Sequence, residues 1–179
     1  APHACGRRFV LLALLLLPLQ LWAADPAEDG MPVLQRFEVS EYTESSQVWR
    51  ALQLRDGTLV FAAHTGLLRY DGERFEFLGG PGGAVYDLAE GADGRLYLGT
   101  GQALGYLAAD AQRQWQWHPY TLPKDAPAYG DIGRIVEFAG QVFFLSRSHV
   151  LIEAQGVWRW LGSSQGYSEL QLRDGQLWL

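Results

Sequence analysis

A chain of 179 residues that is 48% hydrophobic and 19% charged, with 7 Trp and 21 Gly, can build a core and does not belong to the disordered class. Its formal charge of −6 excludes an electrostatic match to nucleic acid or anionic lipid, both of which an acidic surface repels. Cys5 is the one cysteine, so disulfide staples and cysteine-ligated metals are excluded and the fold must be held by packing.

Residues 1–24 read as a signal peptide. Arg7 and Arg8 form a positive n-region, Phe9 to Leu19 an apolar h-region, and Ala23-Ala24 a small-residue cleavage site. A retained anchor would need roughly 18 to 20 apolar residues, and Pro18 and Gln20 interrupt this run. Two adjacent arginines do not make a twin-arginine signal, and Cys5 precedes the apolar stretch where a lipoprotein cysteine would follow it. The general secretory route, without lipidation, is therefore expected. Removing the leader leaves 12 basic residues against 20 acidic, a net charge of −8. The sequence opens without Met and stops at Leu177-Trp178-Leu179 inside an apolar run, which reads as a fragment of a longer chain.

Residues 25–46 read as a linker. Within it Leu34, Phe37, Val39 and Tyr42 alternate loosely, as in an outer strand that would close a ring of blades and remove its exposed edges.

From Gln47 onward the chain repeats. The units are 47–83, 84–130, 131–164 and a partial 165–179, and each has the same order: apolar strand, tight turn, second apolar strand, small-residue turn, third strand, aromatic-rich fourth. The first turns are Asp56-Gly57, Asp93-Gly94, Ala139-Gly140 and Asp174-Gly175, spaced by 37, 46 and 35 residues. Asp-Gly suits a two-residue hairpin, in which both positions take positive φ.

Four strands in about 40 residues is the measure of a β-propeller blade. The predicted fold is all-β: antiparallel four-stranded blades, about three and a half of them, forming an incomplete ring, where closed propellers have about four to eight. A β-sandwich or β-solenoid is the alternative. Leu59-Val60-Phe61-Ala62-Ala63 and Val142-Phe143-Phe144-Leu145 favour the propeller, because they are unbroken apolar runs suited to sheets buried on both faces.

Gly66-Leu67-Leu68-Arg69-Tyr70-Asp71-Gly72 resembles the two-component-regulator propeller repeat. So do Gln47-Val48-Trp49, Phe61-Ala62-Ala63, Gly94-Arg95-Leu96-Tyr97-Leu98-Gly99 and Gly105-Tyr106-Leu107. The resemblance spans about Val33 to Leu179, and order and spacing carry it more than any single motif. The third unit departs, with Ala139-Gly140 for Asp-Gly and Ser148-His149-Val150 where Gly-Leu-Leu is expected. The resemblance implies a sensory propeller of a bacterial receptor. It also implies further blades, a three-tyrosine β-sandwich, an inner-membrane helix and an output module, which would be a diguanylate cyclase, histidine kinase or helix-turn-helix regulator. Dimerisation through those missing domains is expected.

Aligning the first strands on their turns puts Arg50, Asp87 and Arg134 in one column, followed by Ser168, with Trp49, Tyr86, Gly133 and Tyr167 beside them. In a propeller this strand lines the central channel, so Arg50, Asp87, Arg134, Trp49, Tyr86 and Tyr167 are the candidate ligand-binding residues at its mouth. Ion pairing between blades is the competing role for the charged ones.

No catalytic residue, metal site or cofactor is predicted. His64 and His118 stand apart from each other and from any carboxylate at ligand spacing, His149 lies on an apolar strand, and Asp71, Asp93 and Asp110 accompany turns, where their side chains can bond nearby backbone N–H groups. Trp115-Gln116-Trp117 and Trp158-Arg159-Trp160 read as packing between blades before a sugar platform. Gly79-Gly80-Pro81-Gly82-Gly83 lacks the Lys-Ser/Thr of a phosphate loop and reads as a flexible connection. The expected role is a periplasmic sensor for an extracytoplasmic small molecule, glycan or peptide. The rivals are an exported propeller hydrolase, lyase or quinoprotein, and an interaction scaffold.

Overall fold

The computed structural model describes residues 36–37, 47–162, 166 and 169–178. The expected leader and most of the expected ring-closing strand lie outside these residues. The strands all belong to the unit Phe37–Leu179. Among the described residues no helix is long and apolar enough to cross a membrane.

The first sheet is β1 (Val48–Gln53), β2 (Leu59–Ala63), β3 (Gly66–Tyr70) and β4 (Phe75–Phe77), and the second is β5 (Leu88–Glu90), β6 (Leu96–Gly99), β7 (Leu104–Ala109) and β8 (Trp115–Pro119). The third is β9 (Ile132–Phe138), β10 (Gln141–Ser146), β11 (His149–Ala154) and β12 (Val157–Gly162), followed by the hairpin β13 (Gln171–Arg173) and β14 (Gln176–Trp178). Each four-stranded sheet is an antiparallel meander in chain order, the arrangement of a propeller blade, and the ring is not closed.

The first turns divide into two kinds, which corrects the uniform two-residue hairpin expected from Asp-Gly. In the third and fourth units the expectation holds: Ala139 and Gly140 take φ of 52° and 74°, Asp174 and Gly175 52° and 71°, and Phe138 pairs directly with Gln141. In the first two units the loop has three residues. Leu54 N–H donates to Thr58 O at 2.8 Å and Gly57 N–H to Leu54 O at 2.9 Å, with only Gly57 at positive φ, 88°. Gly91, Gly94 and Arg95 repeat this pattern. In the wider turns Asp56 Oδ1 accepts the N–H of Thr58 and Asp93 Oδ1 that of Arg95, whereas the Asp174 carboxylate of the fourth unit lies 3.8 Å from Arg173 Nε. Ala139 has no such acceptor.

Alternation along the middle strands divides the core. Val60 and Ala62 of β2 meet Leu96 and Leu98 of β6 in the core between the first two blades. Tyr97, on the opposite face of β6, joins Ile135, Val142 and Phe144 between the second and third. Val136, Leu145 and Val150 face Leu170 of the fourth unit. A strand buried on both faces has no solvated side to carry polar residues, and every residue of β6 is accordingly buried. The first and fourth strands are more exposed.

The glycine of the third strand has a packing role. Phe77 pairs with Leu68 and its ring lies over Gly66, where an added Cβ would approach it to 2.9 Å. Trp117 pairs with Leu107 and lies over Gly105, where a Cβ would come within 2.7 Å of the ring and 2.3 Å of His118 O. In the third blade the glycine changes strand. His149 pairs with Gly162 and its ring lies 3.3 Å from where a Cβ there would stand, which accounts for the missing Gly-Leu-Leu.

Arg36 and Phe37 are the described residues of the expected ring-closing segment. Phe37 is the apolar one. It packs edge-on against Tyr70 and Phe75, at 5.1 Å and 5.0 Å between centroids. The glycines of the 79–83 connection are all at positive φ, so the segment is held in a conformation that other L-residues disfavour.

Gly105→Ala should therefore cost about 1–3 kcal/mol by overpacking. Phe144→Ala, at a fully buried site between blades, should cost about 3–5 kcal/mol. Urea melts of the full chain read both losses.

Candidate functional site

Successive first strands adjoin one another, β1 with β5, β5 with β9 and β9 with β13. Blades that splay radially touch this way at their inner edge, so side chains from successive units converge there. Arg50 and Trp49 stand on β1 and Arg134 on β9, while Tyr86 and Asp87 lie in the extended segment just ahead of β5 and not within a strand. That segment stays outside the ladder because the pairing of β5 with β6 begins only at Leu88.

The structure brings the charged column together around Asp87, whose side chain is 2% exposed. Its Oδ1 lies 3.2 Å from Arg50 Nε, and its Oδ2 lies 3.5 Å from Arg134 Nη1. Oδ2 also accepts the N–H of Ile135 at 2.8 Å. Arg134 Nε in turn donates to Leu170 O at 3.3 Å. One carboxylate thus joins three consecutive blades, and Arg134 extends the connection to the fourth unit.

The contact with Arg50 is an ion pair without a directed hydrogen bond: Arg50 Nε and Asp87 Oδ1 are both buried and neither has a hydrogen-bond partner. Burial pushes the Asp87 carboxyl above its ordinary range, and the Ile135 N–H, Arg134 and Arg50 offset only part of that rise. Trp49, 48% exposed, meets Tyr86 edge-on at 5.2 Å. Tyr167 and Ser168 lie outside the described residues.

Two clefts open beside this cluster. One, of about 500 Å³, is lined by Arg50, Gly133, Arg134, Glu169 and Gln171. Tyr86, Arg134, Ser146 and Arg147 line the other. Glu169, Leu170 and Arg147 are site residues that repeat alignment missed. Glu169 and Leu170 follow the fourth member of the column in sequence, a signal that was available. Arg147 comes from the β10–β11 turn, and nothing in the spacing marks it.

A separate cleft lies where the turns of the second and third blades meet. Tyr97 donates to Asp93 Oδ2 at 3.1 Å, Tyr120 to Glu153 Oε2 at 3.2 Å, and the Arg95 guanidinium sits 4.3 Å from the Tyr106 ring centroid. Burial, with Asp93 adding to it, pushes the Tyr97 hydroxyl up to about 12. Tyr120 is raised further, by burial and Glu153. Both remain neutral donors, so the cleft reads as a hydrogen-bonded seam.

The aromatic outer strands pack: Trp115 and Trp117 against the first core, Trp158 and Trp160 against the second. Asp71 caps Glu73 and Arg74, and Asp110 caps Gln112 and Gln114. His118 stacks on Tyr106 at 4.9 Å. Among the described residues no cluster of three His, Cys, Asp or Glu is placed to hold a metal.

Residues 79–102, the glycine connection with β5 and β6, match the family model described as two component regulator propeller. This is the family that the blade motifs resemble. The propeller architecture is also that of a similar solved structure, a crystal structure of catalytically inactive virginiamycin B lyase from Staphylococcus aureus with quinupristin. The TM-score is 0.51 at 16% sequence identity, covering 68% of this chain and 43% of that one. The chain thus spans less than half the length of that lyase, and at this identity the likeness is one of propeller fold alone. No curated protein matches the chain.

Asp87→Ala should destabilise the propeller by about 1–3 kcal/mol, because it removes the acceptor from the Ile135 N–H and the shared counter-charge from two arginines. Asp87→Asn, which still offers Ile135 an oxygen, should lose less. Because the Asp87 carboxyl binds its proton more readily folded than unfolded, wild-type stability gains from this group as pH falls from neutral through its raised value toward the ordinary Asp value. The gap between wild type and Asp87→Asn should therefore widen in the wild type's favour on acidification, read by urea melts at stepped pH.

Proposed function

We propose that this propeller segment is the extracytoplasmic ligand-sensing part of a transmembrane bacterial signal-transduction receptor. In this reading residues 1–24 direct its export to the periplasm. Its output module is a diguanylate cyclase or histidine kinase, with a helix-turn-helix regulator as the remaining option, and it signals as a dimer through domains outside the present sequence. The observation that supports the reading best is the inner-edge cluster. Arg50, Asp87 and Arg134 come from three successive blades and open onto polar clefts beside an exposed Trp49 that rests on Tyr86. The match of residues 79–102 to the two component regulator propeller model is consistent with this reading.

Sensing by this arrangement follows from its construction. A ligand that touches side chains of several blades alters their relative energies, and it biases output only by its difference in affinity between receptor states. At 16% identity the lyase likeness is one of fold alone and carries no activity over to this chain.

A thermal-shift screen of the full chain against neutral sugars, organic acids and short peptides tests the proposal. A true ligand should raise Tm saturably, with a stabilisation of about 2.7 kcal/mol at a hundred times Kd. Trp49→Ala should reduce the shift while costing the free protein only about 1 kcal/mol, the contact with Tyr86. Failure of every class to raise Tm would overturn the proposal.

A further inference from the structure

The charged cluster contains more donors than its own acceptor can use. Arg50 makes an ion pair with Asp87 through Nε, without a hydrogen bond, while Arg134 donates Nε to Leu170 O and pairs its Nη1 with Asp87. Among the described residues, both Nη groups of Arg50 and Nη2 of Arg134 have no hydrogen-bond partner. The two side chains are 41% and 33% exposed and line the same cleft. Asp87 is buried beneath them, so it fixes both guanidiniums from behind without covering their outward edges.

We propose that the paired guanidiniums of Arg50 and Arg134 receive the carboxylate of an organic acid whose body lies along Trp49 and Tyr86. The inference rests on the sensor reading and names its ligand class. Three observations support it. A guanidinium is a planar fork of donors whose spacing matches two carboxylate oxygens, and such pairs are the stronger, charge-assisted kind of hydrogen bond. The buried Asp87 orders both arginines before any ligand arrives, which lowers the entropic cost of binding. Finally, the neighbouring acids do not take the outward donors. The Asp131 carboxylate lies against Gly101, and Glu169, on the rim of the same cleft, accepts from Gln171 Nε2.

Glu169 then has a distinct part. It is the acid nearest the cleft that a ligand carboxylate must tolerate, so its charge weakens the site for anions. Neutralising it should tighten binding, a response that a purely structural cluster would not give. Tyr86 lines the neighbouring cleft with Arg134, and the exposed Trp49 meets it edge-on, which gives the ligand's body an apolar surface.

The test is isothermal titration calorimetry on the full chain, at physiological salt, with matched pairs: uronic-acid disaccharides and aliphatic dicarboxylates, each against its uncharged methyl ester, and inorganic phosphate as a third arm. At least one acid should bind about tenfold or more tighter than its ester, and which arm responds separates sugar acids from simple diacids. Arg50→Lys and Arg134→Lys, which keep a charge beside Asp87 but lose the fork, should each weaken that acid by about tenfold. Glu169→Gln should strengthen it. Thermal melts confirm that the variants fold.

Equal binding of acid and ester, preference for phosphate, binding of neutral sugars only, or arginine variants with unchanged affinity would overturn the carboxylate assignment while leaving the sensor reading intact. No binding by any member of these pairs also overturns it. The broader screen of neutral sugars and peptides then decides separately whether the sensor reading falls with it.

Discussion

The structure depends on a sheet whose middle strands have no face for water. In β6 every residue is buried, with Leu96 and Leu98 turned to the first blade and Tyr97 to the third. Such a strand is stable only with a neighbour on each side, because apolar area left in water costs about 25 cal/mol per Å². Each blade is therefore one layer of a stack, and the cores between blades, not those within them, hold the fold. The glycines of the third strands serve the same end: by omitting a side chain at Gly66 and Gly105 they let Phe77 and Trp117 lie flat on the sheet beneath.

Asp87 adds a directional element to this non-directional packing. Hydrophobic contact between blades tolerates small rotations. A carboxylate that must satisfy the Ile135 N–H and two guanidiniums from opposite sides tolerates much less. Burial raises its protonation tendency, so the charge is held at a cost that its partners only partly offset. A buried ion cluster is weak as a source of stability. Its position gives it a different value: it fixes the angle between the inner edges of three blades.

The Tyr120–Glu153 hydrogen bond joins the second and third blades near the hairpin turns, away from the inner edge, while Tyr97–Asp93 beside it stays within the second blade. At the corresponding end of the first two blades, Arg55 N–H donates to Glu90 Oε2 at 3.0 Å and its Nη1 to Gly91 O at 2.8 Å. Blade contacts are thus polar at the turns, apolar in the middle and ionic at the inner edge. The last of these opens onto the cleft that Arg50 and Arg134 line together.

Much of this was legible in the residues alone. Unbroken runs such as Leu59 to Ala63, the recurring turn glycines and the aromatic fourth strands specify four-stranded blades buried on both faces, because strand periodicity and turn chemistry are local. The column Arg50, Asp87, Arg134 followed from aligning the repeats, since equivalent positions in equivalent units occupy equivalent places. Three things depended on the tertiary arrangement. Whether Asp-Gly closes a two- or three-residue loop is the first: the Asp56 and Asp93 carboxylates accept backbone N–H groups in the wider turns, whereas that of Asp174 lies beside Arg173. The movement of the third-blade glycine to Gly162 turned on which ring, Trp160 or His149, covers the strand opposite. That Asp87 is shared by two arginines beside two clefts, one lined by Glu169 and the other by Arg147, came from the packing of neighbouring blades. Sequence periodicity records which face a residue occupies within its own sheet, whereas the distances between sheets, and so the partners across them, are set by how whole blades pack.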